Sequence, residues 1–466
     1  MKKKTLYILL ESQVRELHSL ILLSVCAAKK GFRVYIGDSF SILEIIKRKK
    51  SFGGAYITKG SSTIELSKII KKKCDLNIIL DQEISPGYSE KYYDYCINGR
   101  QYKGSLKYVD RFYCANKIIE NRAKKILKKP NKNFKVISTG WPSFDLCKLE
   151  FNNLFSRKAN ELKKKYKNFI LFNSDFGLVS EKNVKDFEET PVFTDFKKSF
   201  VKLNQKIRNN FKNHSIKDFK KVKLFFKEVA KHNNIPNIVI RPHPSEDIKS
   251  WNEIKKYSKN FFIEKPNYDV LSAILASNFV LHRGSTTGYH ALAFNKTTAY
   301  LNLLNENNII EHFRPTLLKF SQNIKSVNDF KDWISKKKLR TKTNKKLYEL
   351  LNLDLKYSVE KIIDDIDKID IKKENNHEAF KLYSSKKIFF LNLKNFIYDI
   401  LVLFKIKKER NYHLKNRSKK INKQFNIKNI SKCVEIINKN LKSDIKTNLE
   451  TKKVTENLFE IEKHDN

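Results

Sequence analysis

The feature of this 466-residue chain that most restricts its fold is a regular return of short apolar runs separated by helix-length amphipathic stretches. From Thr5 the runs read TLYILL, RVYIG, GAYIT, NIILDQ, YVDRFYCAN and KVISTG, with helical patterns such as Leu17 to Lys30 between them. Strands alternating with helices imply right-handed βαβ units and a parallel sheet. After the Lys-rich stretch LFSRKANELKKKYKN a second series begins at NFILFNSD and continues through PNIVIRPHP, FFIEKP, NFVLHRG and TTAYLNLL, with YDVLSAILAS and STTGYHALAF as helices. The expected fold is therefore α/β: two Rossmann-like domains, residues 1–150 and 165–345, facing a cleft, followed by a helical, basic C-terminal tail over residues 346–466 whose Glu/Lys/Asn-rich end reads as disordered.

Composition narrows the functional classes. With 40% apolar and 12% aromatic residues, the chain can bury real cores, which excludes wholesale disorder and a disulfide mini-scaffold. The formal charge of +45 rests on Lys spread along the whole chain. A dedicated nucleic-acid footprint would be clustered and richer in Arg, so the surface is read as favouring anionic partners in general, with no specific nucleic acid. Cys26, Cys74, Cys96, Cys114, Cys147 and Cys433 form no CxxC pair and read as free thiols in a reducing cytosol. The opening MKKKTLYILLES resembles a signal peptide, but its apolar run soon meets Glu11, Arg15 and Glu16; it reads as a buried first strand.

Within the tail, Lys386 to Lys408 packs Phe, Leu, Ile and Val around Lys394 and Asp399 between basic flanks. It is too interrupted for a membrane span. Two readings stay open: an interfacial helix on an anionic leaflet, or a helix packed back on the second domain. The first gives a cytoplasmic protein peripheral to the inner face of the inner membrane.

In open α/β sheets ligands lie beyond the carboxyl ends of strands, so residues just after strands are the candidates. Arg241-Pro242-His243-Pro244 follows NIVI, and its prolines restrict the backbone as it leaves the sheet, holding His243 ready to meet a phosphate oxygen. The alternative is a turn histidine without a ligand. Glu246 and Asp247 read as an acidic first turn of the next helix. His282, Arg283, Gly284, Ser285, Thr286 and Thr287 follow NFVL and open a helix; backbone amides, hydroxyls and the helix dipole there suit a phosphate, and the alternative is a simple Ser/Thr cap. No GK[ST] follows, so it is not a Walker loop. Asp81 and Glu83 terminate NIIL, where a carboxylate could act as general base toward a hydroxyl or be a solvated acidic turn. Glu11 and Arg15, and Asn173 and Asp175, occupy the equivalent ends of the first strand and of FILF; ion pairing, helix capping and Asx-turns compete with substrate contact at these places. The histidines show no metal-ligand spacing, and no metal or other cofactor is expected.

In order along the chain, LESQVREL, GFRVYIGD, DQE, KVISTGWPSFDL, LFNSDFG, RPHP and HRGSTTGYHAL resemble the bacterial surface carbohydrate biosynthesis proteins, over about residues 5 to 320. That family is similar to GT-B glycosyltransferases of the polysialyltransferase and capsule Kdo transferase type, and more distantly to the CDP-glycerol glycerophosphotransferases of teichoic acid synthesis. The resemblance implies a metal-independent glycosyltransferase of capsule or lipopolysaccharide biosynthesis that moves a sugar from a nucleotide-sugar donor, implied to be CMP-linked, to a glycan or lipid-linked acceptor. It implies that His243 and Pro244 contact the nucleotide phosphate and that Ser285 and Thr286 hold the same phosphate. Asp81 and Glu83 fall where the related enzymes carry their acidic base motif, but Gln82 separates the acids and Ile84 replaces a glycine, which leaves the base unassigned. His290 stands where an acid is common, so no role is carried over to it. A CDP-polyol phosphotransferase, a nucleotide-sugar epimerase and a non-catalytic polyanion-binding assembly protein are the competing readings.

Overall fold

The computed structural model describes residues 2–102, 104–177, 179, 213–244, 246–304, 315–335, 345–353, 356–375, 425–441, 447–455 and 457–464. Lys386 to Lys408 lies outside them. The chain divides into two compact units: residues 1–84, 100–146 and 352–466 form the first, and residues 85–99 and 147–351 the second.

The first unit is built on strands β1 (Thr5–Leu9), β2 (Arg33–Gly37), β3 (Ala55–Thr58), β4 (Leu76–Leu80), β5 (Arg111–Cys114) and β6 (Lys135–Ser138). All six are parallel, in the order β2-β1-β3-β4-β5-β6. Strands β1 to β5 are buried throughout, as expected of a sheet covered on both faces. Helix Gln13–Lys29 is buried along most of its length because helices Ser358–Asp367 and Ile427–Asn440 pack on it. Each of its fully buried Leu and Ile side chains contributes about 1.5–3 kcal/mol.

The second unit carries β7 (Phe169–Asn173), β8 (Asn237–Arg241), β9 (Phe261–Ile263), β10 (Phe279–His282), β11 (Thr297–Leu301) and β12 (Gln322–Ile324). These too are all parallel, in the order β12-β11-β10-β7-β8-β9. Alternate residues of the central strands enter two cores. Ile170, Phe172, Ile238 and Ile240 join Val222, Phe226 and Trp251 on one face, while Phe169, Leu171, Val239 and Val280 pack against Leu162, Ile274 and Ala291 on the other. Residues 213–229 form the helix that supplies Val222 and Phe226.

Both units are thus Rossmann-like, as the alternation of strands and helices predicts. The chain beyond residue 346 contributes helices and also two strands that its composition does not reveal. β13 (Leu449–Thr455) and β14 (Leu458–Lys463) form an antiparallel hairpin, and β14 pairs antiparallel with β2, extending the first sheet to eight strands. Leu458, Phe459 and Ile461 are buried there, so the Glu/Lys-rich end that reads as disordered holds part of the core.

Candidate functional site

In each sheet the chain runs outward to one side and then restarts on the other, creating a switch point where flanking loops diverge and a ligand can approach strand ends. In the second unit the switch lies between β7 and β10. Asn173 is in register with His282 on one side and with Arg241 on the other, so three of the expected residues share one edge.

Helix Thr286–Ala293 starts at this edge with Ser285 at its N-cap, and the Ser285 hydroxyl does not cap the helix. Its Oγ lies 2.5 Å from Thr287 Oγ1 instead, so two hydroxyls are paired at the positive end of the helix dipole. Gly284 has φ +89°, which turns the chain from strand to helix at a backbone conformation that side-chain-bearing residues resist. Its amide donates to His282 Nδ1 at 3.1 Å; the His282 proton therefore sits on Nε2, 3.0 Å from Ser321 Oγ. His282 is fully buried, and Gly288 lies so close that a Cβ there would stand 3.0 Å from three ring atoms. His282 therefore sets the height of the helix start, and its ring is occupied by the fold.

Arg283 is also committed. Its guanidinium lies 4.2 Å over the Phe176 ring, pairs with Asp175 Oδ1 at 3.1 Å and meets buried Asp218. Arg241 differs: Nη2 donates to the Tyr268 carbonyl at 2.7 Å, and among the described residues no carboxylate pairs with it within 4.0 Å. Burial lowers its pKa, against the opposing influence of Tyr268 and Asp269. Asn173 is 3% exposed, and neither its Oδ1 nor its Nδ2 has a hydrogen-bond partner. A buried amide without partners costs about 1–3 kcal/mol, which a ligand at this edge would recover.

His243 is half-buried in the turn after β8. Its amide donates to Glu246 Oε1 at 3.1 Å, and its carbonyl accepts from the Glu246 amide at 2.8 Å. Pro244 is exposed beside it. Burial raises the Glu246 carboxyl above its ordinary pKa, although hydrogen bonds from Ser174 and Trp251 hold it down.

In the first unit the switch lies between β1 and β3, with β4 next in line. Lys59, one residue beyond β3, gathers the carboxylates of this edge: Glu83 at 2.5 Å, Glu16 at 2.9 Å and Glu11 at 3.7 Å. Arg15 Nη2 adds a second cation to Glu83 Oε1 at 3.0 Å. Burial pushes the Glu83 carboxyl up, but Lys59, Arg15 and Arg100 outweigh it and hold Glu83 well below the usual carboxylate range. Burial pushes the Lys59 ammonium down, and Glu83, Glu16 and Glu11 more than reverse this.

Asp81 and Glu83 are not equivalent. Asp81 is buried, its Oδ1 accepts from the amides of Glu83 and Ile84 at 3.0 and 2.8 Å, and its Oδ2 accepts from Arg100 Nε at 3.1 Å. Asp81 builds the turn. Both cations on Glu83 use Oε1.

No protein-family model matches the sequence, and no curated protein matches it. Among solved structures, similar ones include the UDP-GlcNAc 2-epimerase from Methanocaldococcus jannaschii, 12% identical over 79% of this chain and 99% of that one, with a TM-score of 0.49. A putative UDP-N-acetylglucosamine 2-epimerase from Listeria monocytogenes is 10% identical over 79% of this chain and 96% of that one, with a TM-score of 0.45. The wall teichoic acid polymerase TagF is 11% identical over 67% of this chain and 72% of that one, with a TM-score of 0.41.

Lys59, Arg100, Asp218 and Glu246 are parts of these edges that are not among the site candidates read from the sequence. Lys59 carries the same signal as the others, a charged residue directly after an apolar run. Glu246 was masked by its plausibility as a first-turn acid, and Asp218, inside a Lys-rich helix, carries no signal.

Proposed function

We propose that the protein is a metal-independent glycosyltransferase of the GT-B type, acting in bacterial surface polysaccharide biosynthesis on a nucleotide-sugar donor, CMP-linked in our reading, and a glycan or lipid-linked acceptor. The observation that carries it is the second unit's switch-point edge. There an uncapped helix start with paired Ser285 and Thr287 hydroxyls adjoins Asn173, whose buried amide is unpartnered, and the His243 turn follows the next strand. Amide and hydroxyl donors with a positive dipole would stabilise charge on a departing nucleotide phosphate. His243 and Arg241 would add to them.

In the first unit Glu83 is the better base. Asp81 spends one oxygen on the turn amides and the other on Arg100, whereas Lys59 and Arg15 both meet Glu83 at Oε1. In the reaction, the acceptor oxygen bonds to the anomeric carbon, its proton passes to Glu83, and the phosphate leaves with the electrons of the broken glycosyl bond. Lys59 and Arg15 keep Glu83 ionised near neutrality, at the cost of basicity. Among the described residues no helix is long and apolar enough to cross a membrane; attachment to an anionic membrane surface through Lys386 to Lys408 belongs to the proposal.

Calorimetry with CMP, CDP, UDP, GDP and ADP, with divalent metal removed, tests the donor class on wild type and on His243→Ala. Selective CMP binding that the variant loses is expected. Selective UDP or GDP binding would overturn the CMP assignment, and an absence of any nucleotide binding would overturn the enzyme reading.

A further inference from the structure

The turn that carries His243 leaves β8 without regular structure, yet it is tied to the neighbouring strand end by one side chain. Glu246 Oε1 accepts from the Phe176 amide at 2.7 Å and from the His243 amide at 3.1 Å. Trp251 Nε1 donates to Oε2 at 2.8 Å, and Ser174 Oγ lies 2.6 Å from both oxygens. The donors come from three places: Ser174 and Phe176 after β7, His243 after β8, and Trp251 in the helical turn Ile248–Lys256. Each of them offers a hydrogen, an arrangement that a carboxylate satisfies and a carboxamide does not, since its NH2 would face another donor.

A first-turn acid acting only on a helix dipole would need none of this. We propose that Glu246 is a positioning residue: its carboxylate braces the His243 turn against the Ser174 turn, and phosphate binding at this edge depends on that brace. The inference rests on the nucleotide reading above and deepens it by naming a residue that acts through others.

The test uses the full chain, CMP and inorganic pyrophosphate as probes, and Glu246→Gln. The sequence has three tryptophans, so a 15N spectrum of the indole groups has three signals, and the one that Glu246→Gln displaces identifies Trp251. The brace predicts CMP affinity lowered about tenfold or more, as for loss of a hydrogen-bonded charge, alongside the lower melting temperature that a buried, unsatisfied donor brings. It further predicts that CMP shifts the Trp251 signal in wild type and does not in Glu246→Gln. Wild-type affinity in Glu246→Gln, with the Trp251 signal already displaced, would overturn it. Should that variant fail to fold, Ser174→Ala and Trp251→Phe each remove one donor and are expected to weaken CMP less; undiminished affinity in both would overturn the brace equally. A wild type that binds neither probe defeats the nucleotide reading itself, a result visible before any variant is made.

Discussion

At the scale of single residues, the account turns on charge held in place. Lys59 is surrounded by Glu11, Glu16 and Glu83, and removing it leaves acids at a poorly solvated edge. Lys59→Met should destabilise the protein by about 3–5 kcal/mol in urea unfolding, with Lys59→Met/Glu83→Gln recovering part of the loss. The native Glu83 carboxyl lies below its unfolded value, so its contribution is present above the unfolded pKa and is lost as pH falls through the native one. The native Lys59 ammonium lies above its unfolded value, so its contribution is full below the unfolded pKa and is lost as pH rises through the native one. Glu83→Gln should therefore flatten the acid side of the stability profile; an unchanged acid limb would show that Glu83 is not held in this way. The thiols make a second residue-scale prediction. Burial pushes Cys26 and Cys74 up to about 12, so neither should react with a thiol reagent at pH 8 until the protein unfolds, which mass spectrometry of labelled peptides would show. That these cysteines are free thiols was legible in their scatter along the sequence. That Arg283 is committed to Asp175 and Asp218 was not, because an arginine beside a Gly-Ser-Thr-Thr helix start looks the same whether it faces a phosphate or two acids.

At the scale of elements, the apolar runs marked β1 to β11 because strands buried on both faces leave a strong local pattern. β12 is Gln-Asn-Ile, with a single apolar residue, and left none. The candidates stand after strands, where a parallel sheet opens its loops; deciding which of these residues pair with one another required the strand order, which periodicity does not encode. The helix Thr286–Ala293 provides the element-scale test. Gly288→Ala puts a methyl group 3.0 Å from the His282 ring, so the ring or the helix start must give, and a ring held on both nitrogens passes the shift to the helix. An overpacking cost of about 1–3 kcal/mol is expected in thermal unfolding, together with weaker CMP binding. Unchanged stability and affinity would mean that the ring yields and that the height of the helix is not set there.

At the scale of the whole molecule, the first unit is closed by sequence distant from its start. Buried Asp145 accepts from the amides of Ser358 and Val359 at 3.0 and 3.1 Å, capping the helix that packs on Gln13–Lys29. Buried Glu374 accepts from Lys49 at 2.8 Å and from Tyr7 at 2.9 Å. The hairpin of β13 and β14 covers the edge of β2. Compositional reading missed this because Lys, Glu and Asn conceal the few apolar residues, Leu458, Phe459 and Ile461, that do the packing. Truncation after residue 446 should bare the β2 edge, lower the melting temperature and promote self-association in light scattering. A truncated chain as stable and monodisperse as the full one would show that the hairpin is dispensable.

The most direct test of the central claim is a 31P spectrum of CMP titrated with the full chain in the presence of a metal chelator, for wild type and for Ser285→Ala/Thr287→Val. A phosphorus signal that shifts and broadens with wild type, and stays at its free position with the double variant, is the predicted result. A signal equally perturbed by both proteins would place the phosphate elsewhere and contradict the assignment of this helix start as its site.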